Sequence, residues 1–350
     1  MAKKESKDRN EQRQPTMADV AERVGVSRQL VGLVFRDAPG VGAETEAKIR
    51  AAAKELGYRP NLAAQSLRRE GSKYVGVVFH ASERSTNEII PAIYKYAGEQ
   101  GYQVVISAIS SDRTDQEAID EVIGHRCDGL ILISSTISVT RLQKLARTIP
   151  LVSLGRRLTG VRCGVVSSRG ESGVFDAVEY LIGLGHRSIA YVNTKDMLDI
   201  EYRLEGYQSA MDKEKLKQTI VTVIGDFAED GGAKAADKIL SMDKLPTAVV
   251  CNNDQSAFGL IHRFLQKGIR VPEDVSVVGY DDTVAQLPFL DLTTVRQEPD
   301  ELAKCAVDDL SARIKGDKYL SDTFLTSSTL VVRTSTCQPR DETNQMQYTR

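Results

Sequence analysis

The chain has no tryptophan, five cysteines and four histidines in 350 residues, and almost no net charge, −2 from 46 basic and 48 acidic side chains. Each scarcity excludes something. The cysteines (Cys127, Cys163, Cys251, Cys305, Cys337) are odd in number and widely spaced, with no Cys-x-x-Cys pair. That argues against a disulfide framework or a zinc knuckle and leaves them as small buried hydrophobes. The histidines (His80, His125, His186, His262) never recur at i, i+4, so neither a metal site nor a cofactor is expected. No apolar run approaches the roughly 20 residues that span a bilayer; Gly129 to Ile133 is typical and is strand-length. The opening MAKKESKDRNEQRQP is charged with no apolar stretch behind it, unlike a secretory signal, so a cytoplasmic protein without membrane contact is expected. A Gly-x-Ser-x-Gly elbow, a Gly-x-Gly-x-x-Gly after a strand, a Walker A loop and a His-Glu-x-x-His helix are all missing, which leaves nucleotide and hydrolase chemistry without a carrier.

What is present is chain length for two or three domains, with 41% hydrophobic residues to fill their cores. The charge is unevenly spread. Residues 1–73 hold 15 Lys/Arg against 10 Asp/Glu, and the remainder 31 against 38, so a +5 end precedes a −7 body. Such asymmetry raises the question of a polyanionic partner.

Residues 1–14 are polar and charged and read as a disordered tail. Thr16-x-x-Asp19 before an apolar-periodic stretch is a capping signature, and Val20, Ala21 and Val24 then share a helix face. Gly25 breaks that helix. Ser27 caps a second one, running through Leu30, Val31 and Val34 to about Arg36, and a third amphipathic helix spans Glu44 to Leu56 before Gly57. Two short helices joined by a glycine turn make a helix-turn-helix, with a third packed behind.

TMADVAERVGVSRQLVGLVF, the third helix and ELGYRPNLAAQSLRR resemble the DNA-binding headpiece and hinge of the lactose repressor/galactose repressor family of bacterial regulators, almost continuously from Thr16 to Leu67. The resemblance implies a headpiece over 15–60 and a hinge over 61–72. It assigns DNA contacts to Thr16, Ser27, Arg28, Gln29, Leu33, Tyr58, Asn61, Ala64, Leu67 and Arg68. Arg28 can bind guanine O6/N7 and Gln29 adenine N6/N7, each pair worth about 1–3 kcal/mol of discrimination, while Leu33 offers apolar contact to a thymine methyl. Leu67 is the wedge expected to part a base step, flanked by Arg68, Arg69 and Lys73; the alternative is a linker leucine docked on the core. Three positions depart from the family. Leu30 and Gly32 replace residues able to touch phosphates, and Gly42 is a weak cap for the third helix, so Arg36, Lys48 and Arg59 are the compensating cations.

From Tyr74 onward β-branched runs alternate with helix-length amphipathic segments: Tyr74–Phe79, Gln103–Ile109, Gly129–Ile133, Leu151–Leu154, Ile189–Val192, Thr219–Ile224, Ala248–Cys251 and Val275–Val278. Several helices finish in glycine before the next run, as in EQGYQVV, GLGHRSIAYV and QKGIRVPEDVSVV. This is the pattern of doubly wound α/β structure. About eleven strand candidates exceed one compact sheet, so two parallel-sheet subdomains are expected, of periplasmic-binding-protein-like type I. Ligands in such folds bind past the carboxyl ends of strands, where the chain offers His80, Ser134, Gly155-Arg156, Asn193, Asp226-Phe227, Asn252-Asn253-Asp254 and Tyr280-Asp281-Asp282. Asp254 and Asp282 read first as helix or turn caps.

GHRCDGLIL, IPLVSLGRR, RLEGYQSAM, CNNDQSAFGL, GIRVPEDVSVVGYDD and LTTVRQ extend the resemblance to about residue 337. It implies an effector and dimerisation domain over 73–337, with an N-subdomain of about 73–166 plus 298–323 and a C-subdomain of about 167–297 plus 324–337; residues 338–350 form a tail. Arg203, Asn253 and Asp281 match effector-holding positions, and Phe227 one that often stacks on the ligand, with a core position as its alternative. His80 and Asn87 complete the expected set. Gly155 stands where an acid is common, Arg169-Gly170 where Asp-Asn is frequent, and Ser85, Thr86 and Asn87 where purine-binding members carry aromatics, which favours a sugar, polyol or cyclitol over a purine. The resulting expectation is a homodimer reading a palindromic DNA operator under control of a small-molecule effector. A small-molecule-binding protein or enzyme on the same fold is the alternative.

Overall fold

A computed structural model of the chain describes residues 14–35, 38–59, 72–195, 201–224, 229–317 and 323–340. It divides into two compact units, Met1–Ser72 and Lys73–Arg350.

The first unit packs three helices, α1 (Met17–Val24), α2 (Arg28–Val34) and α3 (Ala43–Leu56). The cap read at Thr16 forms as a reciprocal box: the Thr16 N–H donates to Asp19 Oδ2 at 2.6 Å and the Asp19 N–H to Thr16 Oγ1 at 3.4 Å. Gly25 ends α1 at φ +77°, a left-handed conformation costly to any residue with a Cβ, and this turn feeds α2 almost at once. Ser27 Oγ accepts the Leu30 N–H at 3.1 Å, whereas Gly42 gives α3 no side-chain cap. Val20, Ala21, Val31, Val34, Ile49, Ala52 and Ala53 form the core. The second helix closes at Val34, two residues before the expected Arg36.

The second unit holds two six-stranded sheets. The first is built from β1 (Tyr74–His80), β2 (Gln103–Ile109), β3 (Gly129–Ile133), β4 (Leu151–Leu154), β5 (Gly164–Ser168) and β11 (Thr323–Thr326), in the spatial order β11, β5, β4, β3, β1, β2 and parallel throughout. On one face lie α4 (Thr86–Glu99) and α11 (Pro299–Lys315), whose Ile89, Ile93, Leu302, Ala306 and Leu310 pack on Val77, Ile131 and Val152. On the other lie α5 (Asp115–Gly124) and α6 (Val139–Leu145), around Ile119, Val122 and Leu142.

The second sheet comprises β6 (Ile189–Lys195), β7 (Thr219–Ile224), β8 (Ala248–Cys251), β9 (Ser276–Asp281), β10 (Thr293–Gln297) and β12 (Ser328–Val331), ordered β12, β10, β9, β8, β6, β7, with only β12 antiparallel. The faces of this sheet are covered by α7 (Gly170–Gly183) with α8 (Glu201–Lys213), and by α9 (Glu229–Leu240) with α10 (Asp254–Gln266). The C′ glycines read from sequence end their helices at φ +79° (Gly101), +106° (Gly185) and +75° (Gly268).

The chain crosses between lobes three times: after Ser168, between Gln297 and Pro299, and between Thr326 and Ser328. The first and last crossings fall two or three residues later than residues 166 and 323, because β5 and β11 pair with each other in full, Thr323 against Val165 to Thr326 against Ser168. Three cysteines are buried as expected, but Cys305 and Cys337 are only half-buried. Among the described residues no helix is long and apolar enough to cross a membrane, and no group of three His, Cys, Asp or Glu side chains can hold a metal ion.

Candidate DNA-reading helix and effector cleft

In the first unit, α2 buries Val31, Gly32 and Val34, while Arg28 and Gln29 in its first turn are exposed. Leu33 is half-buried and lies outside the headpiece core. Leu30 packs against that core and Gly32 is enclosed by it, so neither replaces a solvent-facing hydroxyl with another anchor. The hydroxyls of Thr16 and Ser27 are engaged as helix caps. Tyr58 stacks edge-on to Phe35 with ring centroids 5.3 Å apart. Burial pushes its phenol above the ordinary value, with the nearby Arg28 charge pulling it back. Of the compensating cations, Lys48 pairs along α3 with Glu44 at 2.8 Å. Asn61, Ala64, Leu67, Arg68 and Arg69 lie outside the described residues, as does Arg36.

In the second unit a cleft opens between the carboxyl ends of the two sheets. The first lobe contributes Glu83, Ser85, Ile89, Ser134, Gly155, Ser167 and Ser168, and the second contributes Gly170, Tyr202, Arg203, Asp281 and Gln297. Arg203, on the first turn of α8, is the centre of its floor. Its guanidinium lies 3.6 Å from the centroid of the Tyr280 ring, donates to the Asn252 carbonyl, and reaches Asp281 Oδ1 at 3.4 Å. The Tyr280 hydroxyl is in turn fixed by Ser168 at 3.0 Å and Ser328 at 3.3 Å. Gly170 leaves room for this packing, since a Cβ there would press on it at 3.1 Å from Arg203 Cγ and 3.3 Å from the Tyr280 hydroxyl. The Arg169-Gly170 pair noted in the sequence is therefore spatially matched to the arginine it underlies.

Asp281 accepts from Gln297 Nε2 at 2.6 Å as well as from Arg203. Burial raises its carboxyl above the ordinary value, and Arg203 and the Gln297 hydrogen bond act against that rise. Its backbone has φ +105° and that of Asp282 +58°, two successive non-glycine residues in a sparsely populated region that surrounding structure must enforce. The enforcing group is Asp254. Fully buried, it accepts the Thr283 N–H at 2.7 Å and the Thr294 hydroxyl at 2.6 Å. Desolvation, with Asp281 close by, pushes its carboxyl up to about 7. Asp282 pairs with Arg333 at 2.8 Å.

Thus Arg203 and Asp281 come together as expected, and Ser134 and Gly155 join them. His80, Asn87 and Asn253 are not among the lining residues. His80 shares the side of β1 that carries Val78, against α5, where Asp115 is its charged neighbour and burial lowers its imidazole below the ordinary value. Asn87 is exposed on the first turn of α4, and Asn253 caps α10 by accepting the Ser256 N–H at 2.8 Å. Phe227 lies outside the described residues. Glu83 and Gln297 were not anticipated. Glu83 sits in the turn three residues past β1, beyond the strand-end positions that the fold rule marks, and Gln297 ends a strand visible only as LTTVRQ.

Residues 16–61 match the model of bacterial regulatory proteins of the lacI family, and residues 178–336 that of a periplasmic binding protein-like domain. The HTH-type transcriptional repressor PurR of Vibrio parahaemolyticus is 31% identical over 325 residues, covering 91% of this chain and 97% of that protein. The PurR of Pasteurella multocida is 33% identical over 308 residues, covering 85% and 92%. Among solved structures, the lac repressor dimer bound to operator and the anti-inducer ONPF aligns with a TM-score of 0.80 at 29% identity, over 93% of this chain and all of that one. The transcriptional regulator CelR in complex with cellobiose aligns at 0.68 and 29%, over 92% and 99%. With both halves of the architecture matched along one continuous chain, the protein belongs to the LacI family: it is a DNA-binding transcriptional repressor with an effector domain, and not an enzyme.

Proposed function

We propose that the chain acts as a homodimer on a palindromic operator, with Arg28 and Gln29 of α2 reading base edges and a neutral sugar, polyol or cyclitol in the cleft setting DNA affinity. The observation that carries this reading is the chemistry of the cleft wall. Four serine hydroxyls, two carboxylates, a glutamine and one engaged guanidinium line it, a set that exchanges hydrogen bonds with a polyhydroxylated molecule. Support for a second copy comes from an apolar surface on the second lobe. Phe258, His262 and Leu265 share a face of α10, Phe289 packs edge-on to Phe258 at 6.4 Å, and Leu265 and Phe289 are 69% and 75% exposed. Asn61, Leu67 and Arg68 supply the hinge, with Leu67 as the minor-groove wedge. Thr16 caps α1, Ser27 caps α2 and Tyr58 packs on Phe35, and the three also meet the backbone of the DNA.

A purine is the competing effector class, favoured by the name PurR of the relatives. Fluorescence anisotropy on palindromes flanking the protein's own gene, titrated with sugars, polyols, inositols and purines, separates the two. The expected result is one bound palindrome whose affinity shifts at least about five-fold with a neutral polyhydroxy compound. A shift with purines alone, or operator affinity indifferent to every compound, overturns the reading.

A further inference from the structure

Glu83 is the acid of the first lobe in this cleft, and its turn is held from both lobes. Its backbone N–H donates to the His80 carbonyl at 3.1 Å, and its own carbonyl accepts the Thr86 hydroxyl at 2.5 Å. The next residue reaches across: the Arg84 N–H donates to Gln255 Oε1 at 3.3 Å and its guanidinium meets Glu229 at 3.2 Å, both groups on the second lobe. Among the described residues, two hydroxyls from different segments orient the carboxylate. Ser85 Oγ donates to Glu83 Oε1 at 2.8 Å and Ser134 Oγ donates to the same oxygen at 3.2 Å, the latter from a residue with φ +49°. A side chain fixed through its backbone and its head group is preorganised as a recognition element rather than a solvated surface charge.

The charges around it restrict what it can recognise. Among the described lining residues the ionic groups are Glu83, Asp281 and Arg203. Arg203 is engaged on Tyr280, the Asn252 carbonyl and Asp281. An anionic ligand would face two carboxylates, whereas hydroxyl protons find acceptors on both lobes. Gly155, at the end of β4, lines the same cavity without a side chain.

We propose that Glu83 is the specificity-determining residue of the cleft, accepting hydroxyl protons of a neutral, unphosphorylated polyhydroxy ligand and repelling phosphorylated or carboxylated relatives of it. The proposal rests on the sugar, polyol or cyclitol reading above. It is tested by titration calorimetry of the full chain with ribose, glucose, galactose, cellobiose and myo-inositol, each beside its phosphorylated counterpart, for wild type, Glu83→Gln, Glu83→Lys and Ser134→Ala. The neutral member is expected to bind and its phosphate not. Glu83→Gln, which keeps the size and loses the ionised acceptor, raises Kd about tenfold or more; Ser134→Ala raises it less, and Glu83→Lys admits the phosphorylated partner. Near-equal melting temperatures of the unliganded variants exclude misfolding as the cause. Neutral-ligand binding unchanged by Glu83→Gln overturns this proposal and leaves the ligand class standing, whereas tighter binding of the phosphates by wild type, or silence across the neutral panel, overturns both.

Discussion

Arg203 lines the cleft of the proposed effector site and is at the same time part of the packing beneath it. Its guanidinium and the Asp281 carboxylate are about 10% and 13% exposed, so each relies on the other, and on Tyr280 and Gln297, for what water would otherwise supply. Two other buried groups give the molecule opposite pH responses. Asp254, pushed up to about 7 from 3.8, holds a proton in the folded state that the unfolded chain has already released. Its stabilising proton uptake is complete below 3.8 and is lost as pH rises through 7. His186 hydrogen-bonds Thr247 at 2.9 Å and the Cys337 carbonyl at 2.8 Å, and burial lowers its imidazole below 6.5. Its contribution is therefore full above 6.5 and is lost as pH falls below it. Just below pH 6.5 the two slopes oppose each other, and above it that of Asp254 remains until about 7. In chemical denaturation at pH 5.5, 6.5 and 8, Asp254→Asn should flatten the decline on the alkaline side and His186→Gln the decline on the acid side; a variant that shifts all three points equally would show that its group does not titrate in this range. His186 was legible only as one of four scattered histidines, because its partners lie 61 and 151 residues away, and nothing local in GLGHRS announces them.

At the scale of elements, helix pairs close through glycines that sequence periodicity treats as weak positions. A Cβ on Gly232 of α9 would lie 1.8 Å from the Ser256 carbonyl oxygen, and one on Gly259 of α10 1.9 Å from that of Glu229. The backbones of α9 and α10 touch there, which sets the start of α9 and hence Glu229, the partner of Arg84. Gly259→Ala should therefore push the two helices apart and cost roughly 1–3 kcal/mol, the usual penalty of overpacking. The measurement is the urea midpoint, with effector titration on the folded variant; an unchanged midpoint would mean the helix pair is more compliant than its contacts imply. Most elements were readable because capping boxes, C′ glycines and β-branched runs are local signals, and Gly129–Ile133 and Thr219–Ile224 begin and end where their residues change character. Strand β11 was not, since its pairing with β5 bridges more than 150 residues. The cleft was half legible for a related reason. The fold rule locates strand ends, but which face a residue takes there depends on pleat and caps, and those turned His80 to α5 and committed Asn253 to α10.

For the whole molecule, the proposed effector control requires that a ligand in the cleft alter an equilibrium that DNA also senses. Among the described residues two ionic contacts link the lobes, and they differ in kind. Arg84 and Glu229 are 50% and 36% exposed, and such a pair contributes about 0–1 kcal/mol. Arg157, in the loop before β5, meets both oxygens of Glu171 on α7 at 2.6 and 3.3 Å, donates to the Ser168 carbonyl at 2.6 Å, and stacks 4.0 Å from the centroid of Tyr202, itself a cleft residue. That contact spans the Ser168 crossing, the first of the three connections between the lobes. Under the proposed reading, a ligand beside Tyr202 and the lobe geometry at Ser168 would therefore be tied through one side chain. Arg157→Lys retains a charge but loses the bidentate fork and the planar stack. Linkage requires that effector change operator affinity by the same factor that operator changes effector affinity. Anisotropy with and without effector, and calorimetry with and without operator DNA, should yield equal factors for wild type. They should yield equal but smaller factors for Arg157→Lys, and nearly wild-type factors for Glu229→Gln. If Arg157→Lys weakens effector binding while leaving the coupling factor at its wild-type value, the contact serves the ligand and not the movement.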